Sequence, residues 1–378
     1  MRRWLFALVV LAGLAALAAC AAEEKATPAP TGPTAAVKAG WEQEWDKVLE
    51  AAKKEGRVTV AGPSGDTSRE TLTTPFEKKY GITVEFLGIR GPEFPPRVDA
   101  ERAAGQYLWD VWVGGTNSML EFKDRGYLDP IEPALILPEV KEGKNWLQGK
   151  LHFADNAGKF ILVMSGYSNS NIAVNIDLVD PKSLKSYRDI LDPKWQGKIL
   201  LHDPRVAGPS NGFFTFAWQH KDLGPDFIGA LLAQKPQVSR DADQEIQWLA
   251  QGRYPLCIGC SSRRMAQMKE QGVKSLEEPG PAQFREGGYL TSGSGNMVFF
   301  NRAPHPNAAK VYINWLLGKE AQAAFLKAQD QGSRRVDVTA DWLDPSRRPN
   351  IGKDWPQYVE DSKKPMDEML AFVDSLMR

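Results

Sequence analysis

The sequence predicts an α/β protein with two αβ units. Three observations carry that expectation. Strand-like and helix-like segments alternate, the alternation occurs twice without a short internal repeat, and loops of Gly, Ser, Thr and Asn stand where strands hand over to helices. Alternation of this kind makes βαβ units with parallel strands, and ligands of such sheets sit beyond the carboxyl ends of the strands.

The first region opens with Trp41, Trp45, Val48, Leu49 and Ala52 at helical spacing, and Gly56 stands where that helix stops. Arg57 to Ala61 reads as a strand, Gly62 to Ser68 as a loop, and Glu70 to Tyr80 as a helix broken by Gly81. Ile82 to Leu87 is a second strand. A helix around Arg97 to Ala104 precedes the strand Trp109–Val113 and the loop Gly114–Ser118.

In the second region, Phe160–Met164 and Ile172–Asn175 read as strands around the polar Ser165–Ser170. Tyr187–Leu191 reads as a helix, Lys198–His202 as a strand, and Asp203–Asn211 as a Gly/Pro loop opening a helix at Gly212. Asp243–Ala250 is amphipathic. Pro255–Ile258 is a strand leading through Gly259–Arg264 into a helix that ends near Gly272. Met297–Asn301 is a strand, and Asn307–Leu317 and Glu320–Lys327 are helices.

Ahead of this body, Arg2 and Arg3 begin a short apolar run, Leu5 to Leu17, which ends in Leu17-Ala18-Ala19-Cys20. A basic start, a short apolar stretch and small residues at a cleavage point make a secretory signal, and the run is too short to span a bilayer. Leu-Ala-Ala-Cys resembles the lipobox of bacterial lipoproteins, which implies lipidation of Cys20 and anchoring at a membrane. Residues 1–19 are then the signal peptide. Residues 20–40, rich in Ala, Pro, Thr and Gly, are a solvated tether.

Composition narrows the function. The chain is 42% hydrophobic and 25% charged with zero formal net charge, which is ordinary for a globular protein. No basic tract marks a nucleic-acid surface. Roughly 340 residues follow the leader and tether, enough for two domains or one large bilobal body. Cys257 and Cys260 have a CxxC spacing that reads as redox or metal chemistry, yet a zinc site needs four ligands and the four histidines are scattered. In an exported protein a local disulfide, or a pair of buried thiols, is the expectation. The sequence has no GxSxG, HExxH, P-loop or strand-borne GxGxxG, so neither an enzyme nor a cofactor is expected.

Four loops rich in small hydroxyl and glycine residues offer binding groups at helix starts. Ser64, Gly65 and Asp66 lie in the first, Thr116 in the second, Ser210 and Asn211 in the third, and Ser261, Ser262 and Arg263 in the fourth. Helix N-termini present free N–H groups to anions, and the same residue types also serve as plain helix caps. Arg263 and Arg264 are the charged candidates, with Arg263 favoured to point inward; a guanidinium grips carboxylate or phosphate bidentately. Tyr167 and Trp112 could stack on a ligand, but packing is the expectation for both.

Trp109-Asp110-Val111-Trp112-Val113-Gly114-Gly115, Ile172-Ala173-Val174-Asn175, the strand–loop–helix at Pro255–Gly272, and Ala308–Leu317 with Gly318-Lys319-Glu320-Ala321-Gln322 resemble type II periplasmic solute-binding proteins. Within them the chain is similar to the ferric-iron-binding branch over about residues 41–340. The resemblance implies two lobes, each a mixed, mostly parallel sheet flanked by helices, joined by crossover strands. Lobe 1 would span 41–167 with a return at 290–340, lobe 2 would span 168–289, and 341–378 would close the fold as a helical segment. It also implies capture of a solute between the lobes by a monomer and delivery to the permease of an ABC importer. Iron-binding members carry adjacent tyrosines where this chain has Ser261-Ser262. The expectation is therefore a small anionic solute such as an organic carboxylate or phosphonate. The alternatives are ferric iron held with an exogenous anion, and a sensor or an enzyme on the same fold.

Overall fold

The computed structural model of the chain describes residues 39–348 and 356–377. The signal peptide, Cys20 and most of the tether lie outside the described residues. The described strands, in chain order, are β1 (Arg57–Gly62), β2 (Thr83–Gly88), β3 (Val111–Gly114), β4 (Leu128–Asp129), β5 (Leu162–Val163), β6 (Tyr167–Asn169), β7 (Ile172–Asn175), β8 (Ile199–His202), β9 (Gln237–Ser239), β10 (Leu256–Ile258), β11 (Leu276–Glu277), β12 (Tyr289–Thr291) and β13 (Asn296–Phe300). The helices are α1 (Gly40–Glu55), α2 (Asp66–Tyr80), α3 (Phe94–Ala103), α4 (Thr116–Asp124), α5 (Pro138–Lys141), α6 (Pro209–Gln219), α7 (Gly224–Ala233), α8 (Ala242–Ala250), α9 (Ser262–Glu270), α10 (Pro306–Leu317), α11 (Lys319–Ala328) and α12 (Lys363–Leu376). Tyr187–Leu191, expected as a helix, is a tight 3₁₀ segment closed by a capping box between Ser186 and Asp189.

Two sheets form. The first has the order β2-β1-β3-β13-β4, with β5 also on β13; the second has the order β11-β7-β10-β8-β9. Both are mixed. β1 runs parallel to β2 and β3, and β8 runs parallel to β9 and β10. Strands that enter from a crossover pair antiparallel, as β13 does with β3 and β7 with β10. The strand expected over 160–164 shrinks to β5, because only Leu162 and Val163 find partners on β13.

Period-two alternation buries both faces of each sheet. Val58, Val60, Val111, Val113 and Met297 pack one face of the first sheet with Phe76, Tyr312 and Trp315. Ala61, Trp112, Val298 and Phe300 pack the other with Phe94, Trp109 and Phe122. Phe94 meets Trp109, Trp112 and Phe122 edge-on at 5.0–5.5 Å between ring centroids. Each fully buried side chain of this size contributes about 1.5–3 kcal/mol. Trp112 is thus a core residue and offers no face to a ligand. In the second sheet Ile199 and Leu201 face the cluster of Phe213, Phe214 and Phe227, whereas Leu200 and Cys257 face Ile246, Leu249 and Met265.

The two sheets are joined by a narrow hinge. β6 leaves the first lobe, β12 returns, and they pair antiparallel with Tyr167 opposite Thr291 and Asn169 opposite Tyr289. The closing segment is helical only in part. Its residues 356–358 run along β12, where Leu290 N–H donates to Pro356 O and accepts at its own carbonyl from Tyr358 N–H. From there α12 packs on α6 and α7 of the second lobe.

Candidate functional site between the lobes

The site is assembled where loops at strand ends meet the hinge. α4 starts at Thr116, just past β3. Its buried hydroxyl lies 3.3 Å from Ser292 Oγ and accepts from Asn296 Nδ2 at 3.3 Å. Gly293 follows with φ 50, and a Cβ there would come within 2.7 Å of the Tyr167 hydroxyl, so only glycine fits this turn. The guanidinium of Arg347 lies over the Tyr167 ring at 5.6 Å. Arg347 donates from Nε to Asn169 Oδ1 at 2.8 Å and from Nη1 to Asp330 Oδ2 at 2.6 Å. The contacts continue into the second lobe. Asn169 Nδ2 reaches Ser262 Oγ at 3.5 Å, Ser262 Oγ donates to Glu278 Oε2 at 2.6 Å, and Asn171 N–H donates to Glu278 Oε1 at 3.2 Å.

Ser64, Gly65 and Asp66 are exposed at the start of α2. That loop is tied to the hinge side, because Gln329 donates to Ser68 Oγ, and the Ser68 hydroxyl reaches Ser64 O. Thr116, Tyr167, Ser262 and their partners form the contact chain above. Ser210 is buried and spends its hydroxyl on Ile258 O, and Asn211 is buried with its amide on Pro204 O. Both therefore brace the start of α6. Ser261 caps α9, its hydroxyl accepting from Arg264 N–H at 3.4 Å. The disulfide Cys257–Cys260 joins β10 to that cap.

The two arginines divide. Arg264 pairs with Asp243 at 2.9 Å and bonds Gln267. Arg263 makes no hydrogen bond or ion pair among the described residues, and burial, then the charge of Arg264, pushes its pKa down. A half-buried guanidinium with five donors and no acceptor is a cation short of a partner.

Sequence reasoning missed Glu278, Asp330, Arg347 and Asn169. Asn169 lies in the polar segment beside Tyr167, whereas Glu278, Asp330 and Arg347 come from distant stretches that no local motif marks. Burial pushes the Glu278 carboxyl up, against the lowering pull of Arg347. Burial lowers the Arg347 pKa, but Glu278 and Asp330 outweigh it and the net direction is upward. Burial also pushes the Tyr167 phenol up to about 12, which disfavours a phenolate at neutral pH. Among the described residues no three or more His, Cys, Asp or Glu gather as a metal cluster. Two surface cavities, one lined by Arg102, Tyr107 and Tyr127 and one by Asn156, Glu360 and Lys363, involve none of these site residues.

Residues 71–341 match the model of the bacterial extracellular solute-binding proteins. The chain belongs to that family. Solute-binding proteins of solved structure share its fold. Iron-bound HitA from Pseudomonas aeruginosa is 17% identical, covering 85% of this chain and 99% of that one, with a TM-score of 0.66. AfuA from Actinobacillus pleuropneumoniae, with exogenous fructose-6-phosphate bound, is 21% identical over 85% of this chain and 99% of that one, with a TM-score of 0.65. An uncharacterized protein of Haemophilus influenzae is 23% identical, covering 82% of this chain and 87% of the relative. The fold is the two-lobed one of the type II binding proteins, and solute binding rather than catalysis is what the family and these neighbours share. Among the described residues no helix of this solute-binding protein is long and apolar enough to cross a membrane.

Proposed function

We propose that this solute-binding protein captures a small oxyanionic solute, a carboxylate, phosphonate or phosphate, between its lobes and delivers it to an ABC importer. The unpaired guanidinium of Arg263 beside the start of α9 carries the reading. It is partly desolvated, and an oxyanion gives it the acceptors that the chain withholds. The hinge of β6 and β12 supplies the axis for closure, and Thr116, Tyr167 and Ser262 are the first-choice polar contacts. AfuA, whose structure holds fructose-6-phosphate, supports a phosphorylated ligand. Cys20 anchors the protein by lipid at the outer face of the membrane, beside the permease.

Ferric iron carried with an anion is the second reading, favoured by the iron-bound HitA and by a Trichodesmium relative in complex with iron and citrate. Thermal-shift titration of the full-length protein with phosphate, citrate and fructose 6-phosphate, each with and without Fe³⁺, separates the two. The expected result is stabilisation by an oxyanion without iron. Arg263→Ala should weaken that binding by about thirtyfold or more, since truncating one partner of a desolvated charge pair costs about 2–5 kcal/mol. Stabilisation only in the presence of iron would reject the oxyanion reading.

A further inference from the structure

The positive end of α9 already has an occupant from the chain itself. Glu278 receives the Ser262 hydroxyl at 2.6 Å on one oxygen and the Asn171 N–H at 3.2 Å on the other. It therefore lies beside the first residue of α9, at the end of the helix whose dipole favours negative charge. Its neighbours are Arg347, whose Nη1 is paired with Asp330 at 2.6 Å, and the uncharged Asn169. By formal charge, the two carboxyl groups of Glu278 and Asp330 outnumber the one guanidinium of Arg347 by one.

Arg263, one residue along the same helix turn, is unpaired and positive. Glu278 reaches the first turn of α9 through Ser262, and the unpaired Arg263 is the next residue of that helix. An ionised carboxylate only accepts hydrogen bonds, and each oxygen of Glu278 keeps a lone pair beyond the one used. A second anion is repelled there, while a hydroxyl or an ammonium group fits.

We propose that Glu278 is a specificity-determining residue, accepting a hydrogen bond from a hydroxyl or ammonium group that the solute carries in addition to its oxyanionic group. The ligand class narrows to hydroxy- or amino-substituted carboxylates and phosphates. This inference rests on the oxyanion reading. It goes beyond it by requiring a donor on the solute.

Matched probes test it on the full-length protein by calorimetric titration and thermal shift. The pairs are citrate and tricarballylate, glycerol 3-phosphate and propyl phosphate, and phosphoethanolamine and ethyl phosphate. The donor-bearing member of at least one pair should bind about tenfold tighter or more, because a site built to bond a polar group rejects the analogue that lacks it. Glu278→Gln, which keeps the shape and removes the charge, should cut that preference at least about fivefold. Glu278→Asp, which keeps the charge but draws the acceptor back by one methylene, should also cut the preference, and this variant decides the matter if Glu278→Gln does not fold.

Equal binding within every pair, or a preference untouched by Glu278→Gln, overturns the role of Glu278. If Arg263→Ala leaves every affinity unchanged, or no probe binds, the oxyanion reading itself fails. If Arg263→Ala weakens binding while donor-bearing and donor-free probes behave alike, only the present inference fails.

Discussion

Acidification should unload stability through one histidine. His152 is 8% exposed, and its Nε2 lies 2.8 Å from Leu147 O. Burial, then the charge of Arg334 and more weakly that of Lys150, holds its pKa down at about 4. The free imidazole titrates near 6.5. The folded pKa of this base is depressed, so its contribution is fully present above about pH 6.5. It is lost as pH falls through 6.5 toward 4. The drop from near 6.5 to about 4 corresponds to about 3 kcal/mol, of which roughly 2 kcal/mol or more is gone by pH 4.5. His152→Gln keeps a donor for Leu147 O and does not titrate. Urea unfolding followed by tryptophan fluorescence at pH 7.5 and 4.5 gives the difference for each protein. The wild type should lose about 2 kcal/mol more than the variant. Glu278 shifts in the opposite direction and Asp203, its burial outweighed by Arg205 and Arg240, titrates below the window; both are common to the two proteins and drop out. Parallel losses within about 0.5 kcal/mol would refute the assignment to His152.

Opening the Cys257–Cys260 bond in a Cys257→Ser/Cys260→Ser variant releases a loop of only four residues, so the loss should be about 2 kcal/mol by the loop-entropy relation, measured by urea unfolding of variant and wild type. A loss above about 5 kcal/mol would show that the bridge does more than close its loop. Cys20→Ala should shift the protein from the membrane fraction to the soluble fraction while its solute affinity stays within about twofold. Weaker binding by the purified variant would contradict a separation of anchor from site.

Much of the fold was legible because local chemistry and global packing agree. Arg57–Ala61 and Trp109–Val113 read as strands, and the structure buries Val58, Val60, Val111 and Val113 on one side of the sheet and Ala61 and Trp112 on the other. Gly81 ends α2 where the sequence breaks, taking φ 67 and donating its N–H to Glu77 O. Parts of the candidate site were legible for the same reason. Ser261 and Thr116 stand at helix starts, positions written into a few consecutive residues.

Other features depended on distance. The sequence favours Arg263 over Arg264 as the inward one but shows no partner for either; Asp243, on a separate helix, pairs with Arg264 and leaves Arg263 without an ion pair. Ser210 and Asn211 look like ligand contacts until Ile258 O and Pro204 O claim them. Glu278 and Arg347 carry no local signal at all. Their meaning arises from desolvation and from partners brought to the hinge by chain returns, 178 residues apart for Arg347 and Asn169.

The sequence by itself therefore determined the class of architecture, two αβ runs with polar loops at strand ends, because periodicity and turn chemistry act over a few residues. Tertiary structure alone decided which polar groups remain available to a solute. A hydrogen bond or an ion pair is spent or unspent according to what the fold sets beside it.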